Sequence, residues 1–110
     1  MITRVTDSNF DDEVINAIGP VLLVFMASWC PACQEYEPFV KKFAEVYGDF
    51  VKVCVVDVDE SPDTKQYQGV YETPSTYLFL NGEEKRELAA GCWDFDQIVE
   101  FVEHVLELKL

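Results

Sequence analysis

Seven consecutive apolar residues, Val21 to Ala27, follow Gly19-Pro20 and run directly into Ser28-Trp29-Cys30-Pro31-Ala32-Cys33. A short apolar run without alternation fits a strand buried on both faces, which ties the chain to a sheet covered on each side. Beyond Cys33 the period changes. Tyr36, Phe39, Val40, Phe43 and Val46/Tyr47 recur at steps of three and four, with Glu35, Glu37, Lys41, Lys42 and Glu45 mostly between them, as on a helix with one apolar stripe. Two cysteines therefore fall on a strand-to-helix crossing. Pro31 suits the first helical position, where its missing N–H costs nothing and its fixed φ is already helical.

This placement has chemical consequences. The thiolate is the form of cysteine that attacks disulfides, and the free N–H groups and dipole of a helix N-terminus stabilise it, lowering the pKa below the usual value of about 8.5. Cys30 gains most. Cys33, one helical turn further in, lies close enough to close an intramolecular disulfide and too deep to meet a partner first, so it is the expected resolving thiol. A Cys-x-x-Cys pair is also half of many zinc sites, but zinc takes about four ligands. Besides the pair the chain offers Cys54, Cys92 and His104, none at second-knuckle spacing. No metal and no cofactor is expected.

A chain of 110 residues, 49% of them apolar and 14% aromatic, has enough apolar surface for one core, so residues 1–110 read as one domain. No stretch approaches the roughly 18 to 20 apolar residues of a membrane span. Met1 to Asp7 lacks the apolar segment of a signal peptide, so a cytoplasmic location is expected. With 21 acidic against 8 basic residues the formal charge is −13, which repels nucleic acid and anionic lipid and favours solubility. The expected form is a monomer.

Along the chain, Ile2 to Val5 reads as a first strand. Thr6-Asp7-Ser8-Asn9 supplies N-cap candidates for a helix of about ten residues whose stripe is Phe10, Val14, Ile15 and Ile18, ended by Gly19-Pro20. Val51 to Val58 reads as a buried strand enclosing Cys54, a packed and inert thiol. Ser61-Pro62 caps and begins a short helix to Tyr67, stopped by Gly69. Ser75 to Leu80, Asn81-Gly82 and Lys85 to Ala90 form the strongest hairpin signal. Asp94 and Gln97 have capping-box spacing for a last helix, with Phe95, Ile98, Val99, Val102, Val105 and Leu106 inward and Glu100, Glu103 and Glu107 toward water. His104 is expected at the surface. Early strands joined by helices are parallel with right-handed crossovers, and the terminal hairpin makes the sheet mixed. The fold class is α/β in three layers, with a reactive pair at the carboxyl end of a central strand, where such folds place their sites.

Thr6-Asp7-Ser8-Asn9-Phe10, Ala27-Ser28-Trp29-Cys30, Pro38 five residues after Cys33, Asp57-Val58-Asp59, Thr73-Pro74, Asn81-Gly82 and Gly91, in this order, resemble the thioredoxin family over nearly the whole chain. The resemblance implies a five-stranded mixed sheet flanked by four helices. It implies a cis peptide before Pro74, which faces the disulfide, and a Thr73 backbone that pairs with extended substrate. Trp29, Pro31, Thr73, Pro74, Gly91 and Cys92 match the apolar rim where partners dock. Pro74 as an ordinary loop proline and Trp29 as core packing are the alternatives. The implied reaction is thiol–disulfide exchange through Cys30 and Cys33, with disulfide-containing proteins as substrates and a disulfide reductase such as thioredoxin reductase as partner.

Three departures from the family pattern carry expectations of their own. Pro31-Ala32 replaces the common Gly-Pro, restoring an N–H at Ala32 near the Cys30 sulfur and predicting a more oxidising pair; it also resembles some membrane-anchored members of the protein disulfide isomerase group. Val24 and Val55 stand where many members carry a buried aspartate and its lysine, which predicts a drier core and a resolving step that needs water or an acid such as Glu35, itself read as an exposed helix residue. Cys92, beside Gly91, is either an exposed thiol open to mixed-disulfide formation or a small loop residue. Two function classes follow: a protein-disulfide oxidoreductase, foremost a reductant with oxidising or isomerase-like exchange as its variant, and a non-catalytic interaction module on the same fold.

Overall fold

The computed structural model describes residues 1–88 and 93–110. Five strands, β1 (Ile2–Val5), β2 (Pro20–Met26), β3 (Lys52–Asp57), β4 (Ser75–Leu80) and β5 (Glu83–Leu88), form one sheet in the order β1-β3-β2-β4-β5. The first three run parallel, and β4 is antiparallel to both β2 and β5. Central β2 thus has strands on both sides. Val21 through Met26 are all buried, which is why this segment carries no polar residue. Strand ends differ by a residue or two from expectation, and the Ala89-Ala90 end expected for β5 lies outside the described residues.

Helices α1 (Pro31–Tyr47), α2 (Pro62–Gln68) and α3 (Phe95–Leu106) and one π-helical turn (Asp11–Ile15) complete a mixed-sheet α/β fold of the kind that the resemblance implied. On α1, Tyr36, Val40, Phe43 and Ala44 are buried, and the Tyr36 hydroxyl reaches Thr76 Oγ1 on β4 at 2.8 Å. α1 packs beside α3, where Tyr47 stacks on Phe95 at 6.1 Å between centroids. The capping box forms as read: Gln97 N–H donates to Asp94 Oδ1 and Asp94 N–H to Gln97 Oε1. Glu103 departs from its expected exposure. It is half-buried, its carboxylate accepting the Leu110 N–H.

The first helix corrects the sequence reading. Its closing bond runs from Asn16 N–H to Asp11 O, an i to i+5 link that widens the turn and ends it at Ile15. Phe10 and Val14 are buried, but Ile18 is 96% exposed because the helical stripe does not extend to it. None of Thr6 to Asn9 caps this helix through its side chain. Asn9 instead accepts from Thr6 N–H and donates to Arg4 O. Asp7 reaches across to α2, where its carboxylate accepts the N–H and hydroxyl of Thr64 and the N–H of Asp63. The Thr64 hydroxyl above all, with these N–H groups, holds the Asp7 carboxyl below the usual range against the opposing effect of desolvation. Ser61 occupies the N-cap position, yet its buried hydroxyl finds no partner among the described residues, so the capping role passes to Asp7.

Two glycines are required by geometry. Gly69 ends α2 at φ +73, with Val70 N–H reaching back to Lys65 O. Gly82 follows Asn81 in the hairpin, both at positive φ, and a Cβ there would lie 2.1 Å from Ile15 O. The same turn is tied to the start of β2, because Gly19 N–H donates to Asn81 Oδ1 at 2.7 Å.

Candidate functional site

β2 ends at Met26, and the chain reaches α1 through Ala27 to Cys30. Cys30 takes the N-cap position with extended backbone (φ −95, ψ 111), and Pro31 begins the helix. An N-cap side chain accepts from the free N–H groups of the first turn. Here that side chain is a sulfur: Cys33 N–H donates to Cys30 Sγ at 3.2 Å, and the Cys30 thiol donates to Thr73 O at 3.4 Å. Burial pushes the Cys30 thiol up, but hydrogen bonds from the Cys33 and Thr73 side chains and from the Cys33 and Ala32 N–H groups outweigh it, leaving the pKa below that of an ordinary thiol. The Ala32 contribution is the one expected from the Pro31-Ala32 order.

Cys33 behaves oppositely. Desolvation and its hydrogen bond to Cys30 raise its pKa. By surface area the two are almost equally covered, 5% exposed for Cys30 and 3% for Cys33, so depth alone does not separate them. They open on different sides. Cys30 lines a surface groove of about 430 Å³ with Trp29, Pro31, Ala32, Val58, Lys65 and Val70 to Thr73. Cys33 instead lines a cavity of about 290 Å³ between α1 and the sheet, with Arg4, Met26, Ala27, Ser28, Gln34, Glu37, Val55 and Asp57. A partner docking in the groove meets Cys30.

Trp29 is 66% exposed, which decides against core packing. Its indole N–H donates to Asp59 Oδ2 at 2.8 Å, and Asp59 N–H in turn donates to Asp57 Oδ1 at 2.8 Å, so the Asp57-Val58-Asp59 turn holds the ring beside the groove. The Thr73–Pro74 peptide is cis, as the resemblance implied, and Pro74 is buried. Thr73, Pro31 and Trp29 all border the same groove. Gly91 and Cys92 lie outside the described residues. Val24 is fully buried, and Val55, its register partner on β3, borders the cavity beside Cys33. Glu35 is exposed and does not line that cavity.

Sequence reasoning missed Tyr71, which is 94% exposed on the rim of the Cys30 groove, and the two carboxylates Glu37 and Asp57 beside Cys33. Tyr71 had a signal, being two residues before Thr73. The carboxylates had only a partial one: Glu37 is one turn along α1 from Cys33, but Asp57 arrives through sheet pairing.

Cys54 is fully buried in β3, and burial pushes its thiol up to about 11. It is a packing residue, as expected. Among the described residues no group of three or more His, Cys, Asp or Glu side chains is arranged to hold a metal ion, and no helix is long and apolar enough to cross a membrane.

The thioredoxin family model matches residues 1–104. A thioredoxin of Rickettsia prowazekii (strain Madrid E) is 38% identical over 85 residues, covering 77% of this chain and 81% of the relative. That of Rickettsia bellii (strain RML369-C) is 31% identical over 102 residues, covering 93% and 96%. A thioredoxin of Pseudomonas aeruginosa is 38% identical over 81 residues, covering 74% and 75%. With its mixed sheet, its cis Thr73–Pro74 peptide and a cysteine sulfur capping α1, the chain belongs to the thioredoxin family and is a protein-disulfide oxidoreductase of the thioredoxin type.

Proposed function

We propose that residues 1–110 form one catalytic domain that reduces protein disulfides, with Cys30 as nucleophile and Cys33 as resolving thiol. The observation that carries this reading is the opposed environment of the two sulfurs: Cys30 receives N–H donors at the α1 N-terminus that lower its pKa and borders an open groove, whereas Cys33 borders a separate cavity, with desolvation and its hydrogen bond to Cys30 raising its pKa. In the forward reaction the Cys30 thiolate attacks a substrate disulfide, forming a mixed disulfide and releasing one substrate thiolate. Cys33 then attacks Cys30, freeing the second substrate sulfur and closing the Cys30–Cys33 bond. Trp29, Pro31 and Thr73, which border the groove, serve with the adjacent Pro74 as the docking rim, a role that the family resemblance also assigns to Gly91. Disulfide-containing proteins are the substrates, a disulfide reductase such as thioredoxin reductase restores the dithiol, and the cytoplasm is the working compartment.

The assignment is tested by timed alkylation with iodoacetamide across pH, read by peptide mass spectrometry. Cys30 should be modified first, and its rate should level off at a lower pH than that of a free thiol of pKa about 8.5, because its pKa is depressed. Cys33 and Cys54, both raised, should lag near neutral pH. Equal inertness of Cys30 and Cys33 would favour a non-catalytic binding module instead.

A further inference from the structure

The resolving step leaves a proton unaccounted for. Cys33 must lose its S–H proton to become a nucleophile, yet desolvation favours its neutral form. The sheet offers no help through Val24 and Val55, which are paired in register and both apolar; Val55 lines the cavity beside Cys33. What the structure places beside Cys33 is the cavity of about 290 Å³ under α1, roomy enough for water. Its charged lining comes from three elements: Glu37 on α1, Asp57 at the end of β3, and Arg4 on β1, the register partner of Val55.

We propose that Glu37 accepts the Cys33 proton across this cavity during resolution, with Asp57 as the second carboxylate of the same route. This rests on the Cys30/Cys33 assignment above. Glu37 is four residues after Cys33, so the two lie on one helix face about 5–6 Å apart at Cβ. Its carboxylate pairs with Lys41 at 2.9 Å, a half-exposed i,i+4 contact of the kind that binds weakly and releases readily. Asp57 is the less available acceptor, because its Oδ1 already receives the N–H groups of Asp59 and Glu60. Arg4 pairs with Glu60 and keeps a positive charge at the cavity wall. The step balances: the Cys33 proton passes through water to the Glu37 carboxylate, and the Cys33 thiolate attacks Cys30 Sγ. The new S–S bond forms as the Cys30–substrate bond breaks, and the substrate sulfur leaves with the electron pair and takes a proton from solvent. Two electrons move from the dithiol to the substrate disulfide.

The test isolates this step. Cys30 is loaded at low pH with 5-thio-2-nitrobenzoate as a mixed disulfide, the sample is jumped to pH values between 5 and 9, and release of the coloured thiol is followed in a stopped-flow instrument. Glu37→Gln should slow release about tenfold or more at neutral pH and move the rate–pH midpoint upward. Glu37→Gln with Asp57→Asn should slow it further. Lys41→Met, which removes the ion pair but keeps the carboxylate, should match the unsubstituted protein. Loading of Cys30, measured in Cys33→Ser, should be unaffected by Glu37→Gln. Unchanged release profiles in Glu37→Gln and in the double variant would overturn the proposal, as would a loss carried by Asp57→Asn alone. Failure of the unsubstituted protein to release the thiol at all would instead overturn the dithiol assignment, and this step with it.

Discussion

Cys30→Ser should lower turnover of a protein disulfide by about a thousandfold or more, since a serine hydroxyl at the same N-cap stays protonated where a thiolate is required. Cys33→Ser should also stop turnover, by a different route. Cys30 keeps its sulfur and the groove, so the first attack proceeds, but the mixed disulfide is not resolved and the substrate remains covalently attached. Intact-mass measurement separates the two variants: the Cys33→Ser protein should accumulate as an adduct with the substrate, joined through one of the two substrate sulfurs, and the Cys30→Ser protein should remain unmodified. The reverse pattern would exchange the roles of the two cysteines.

The largest expected effect on stability lies in β2. Phe25 is fully buried and meets Tyr77 edge-on at 5.6 Å between centroids, on the strand that has neighbours on both sides. Phe25→Ala removes that contact and leaves a cavity that close packing cannot fill, a loss of about 3–5 kcal/mol. Against a typical total of about 5–15 kcal/mol this is a large fraction. Ile18→Ala is the contrasting substitution. Its side chain is 96% exposed, so a change within about 0.5 kcal/mol is expected. Urea unfolding of both variants checks the pair, and similar losses from each would mean that the described burial of β2 is wrong.

These two side chains also mark where the sequence was legible. Phe25 lies in an unbroken apolar run, and such a run has few structural solutions. The same is true of Pro31 after Cys30, Asn81-Gly82, and Asp94 with Gln97, whose roles depend on neighbours within four residues. Ile18 was misplaced because helical spacing alone does not reveal an i to i+5 closure at Asn16. The longer the sequence separation, the less was visible. Asp7 caps a helix 57 residues away, Trp29 is held by Asp59 30 residues on, and the cavity under Cys33 gathers Arg4, Glu37 and Asp57 from three elements. Each of those contacts exists only once parallel pairing sets β1, β2 and β3 side by side and brings the segments that follow them together. The apolar character of Val24 and Val55 was plain in the sequence, but their pairing in register and the carboxylates lining the cavity beside Val55 became visible only in three dimensions.

The direction of exchange depends on the redox couple. Ala32 N–H and the Cys33 N–H both stabilise a Cys30 thiolate, which favours the reduced dithiol and makes the disulfide a better oxidant than one flanked by fewer donors. The Pro31-Ala32 pair is therefore expected to shift the couple upward from thioredoxin's reference value of about −270 mV without carrying it out of the reducing range.

The most direct measurement is the equilibrium of the Cys30–Cys33 pair against defined glutathione mixtures, read by alkylation and mass, with Cys33→Ser as the control that forms no intramolecular bond. The expected result is a single two-electron transition between about −270 and −180 mV, present in the unsubstituted protein and lost in the control. A transition above about −180 mV would contradict a reductant and point to oxidising or isomerase-like exchange, and the absence of any intramolecular disulfide would contradict the dithiol mechanism itself.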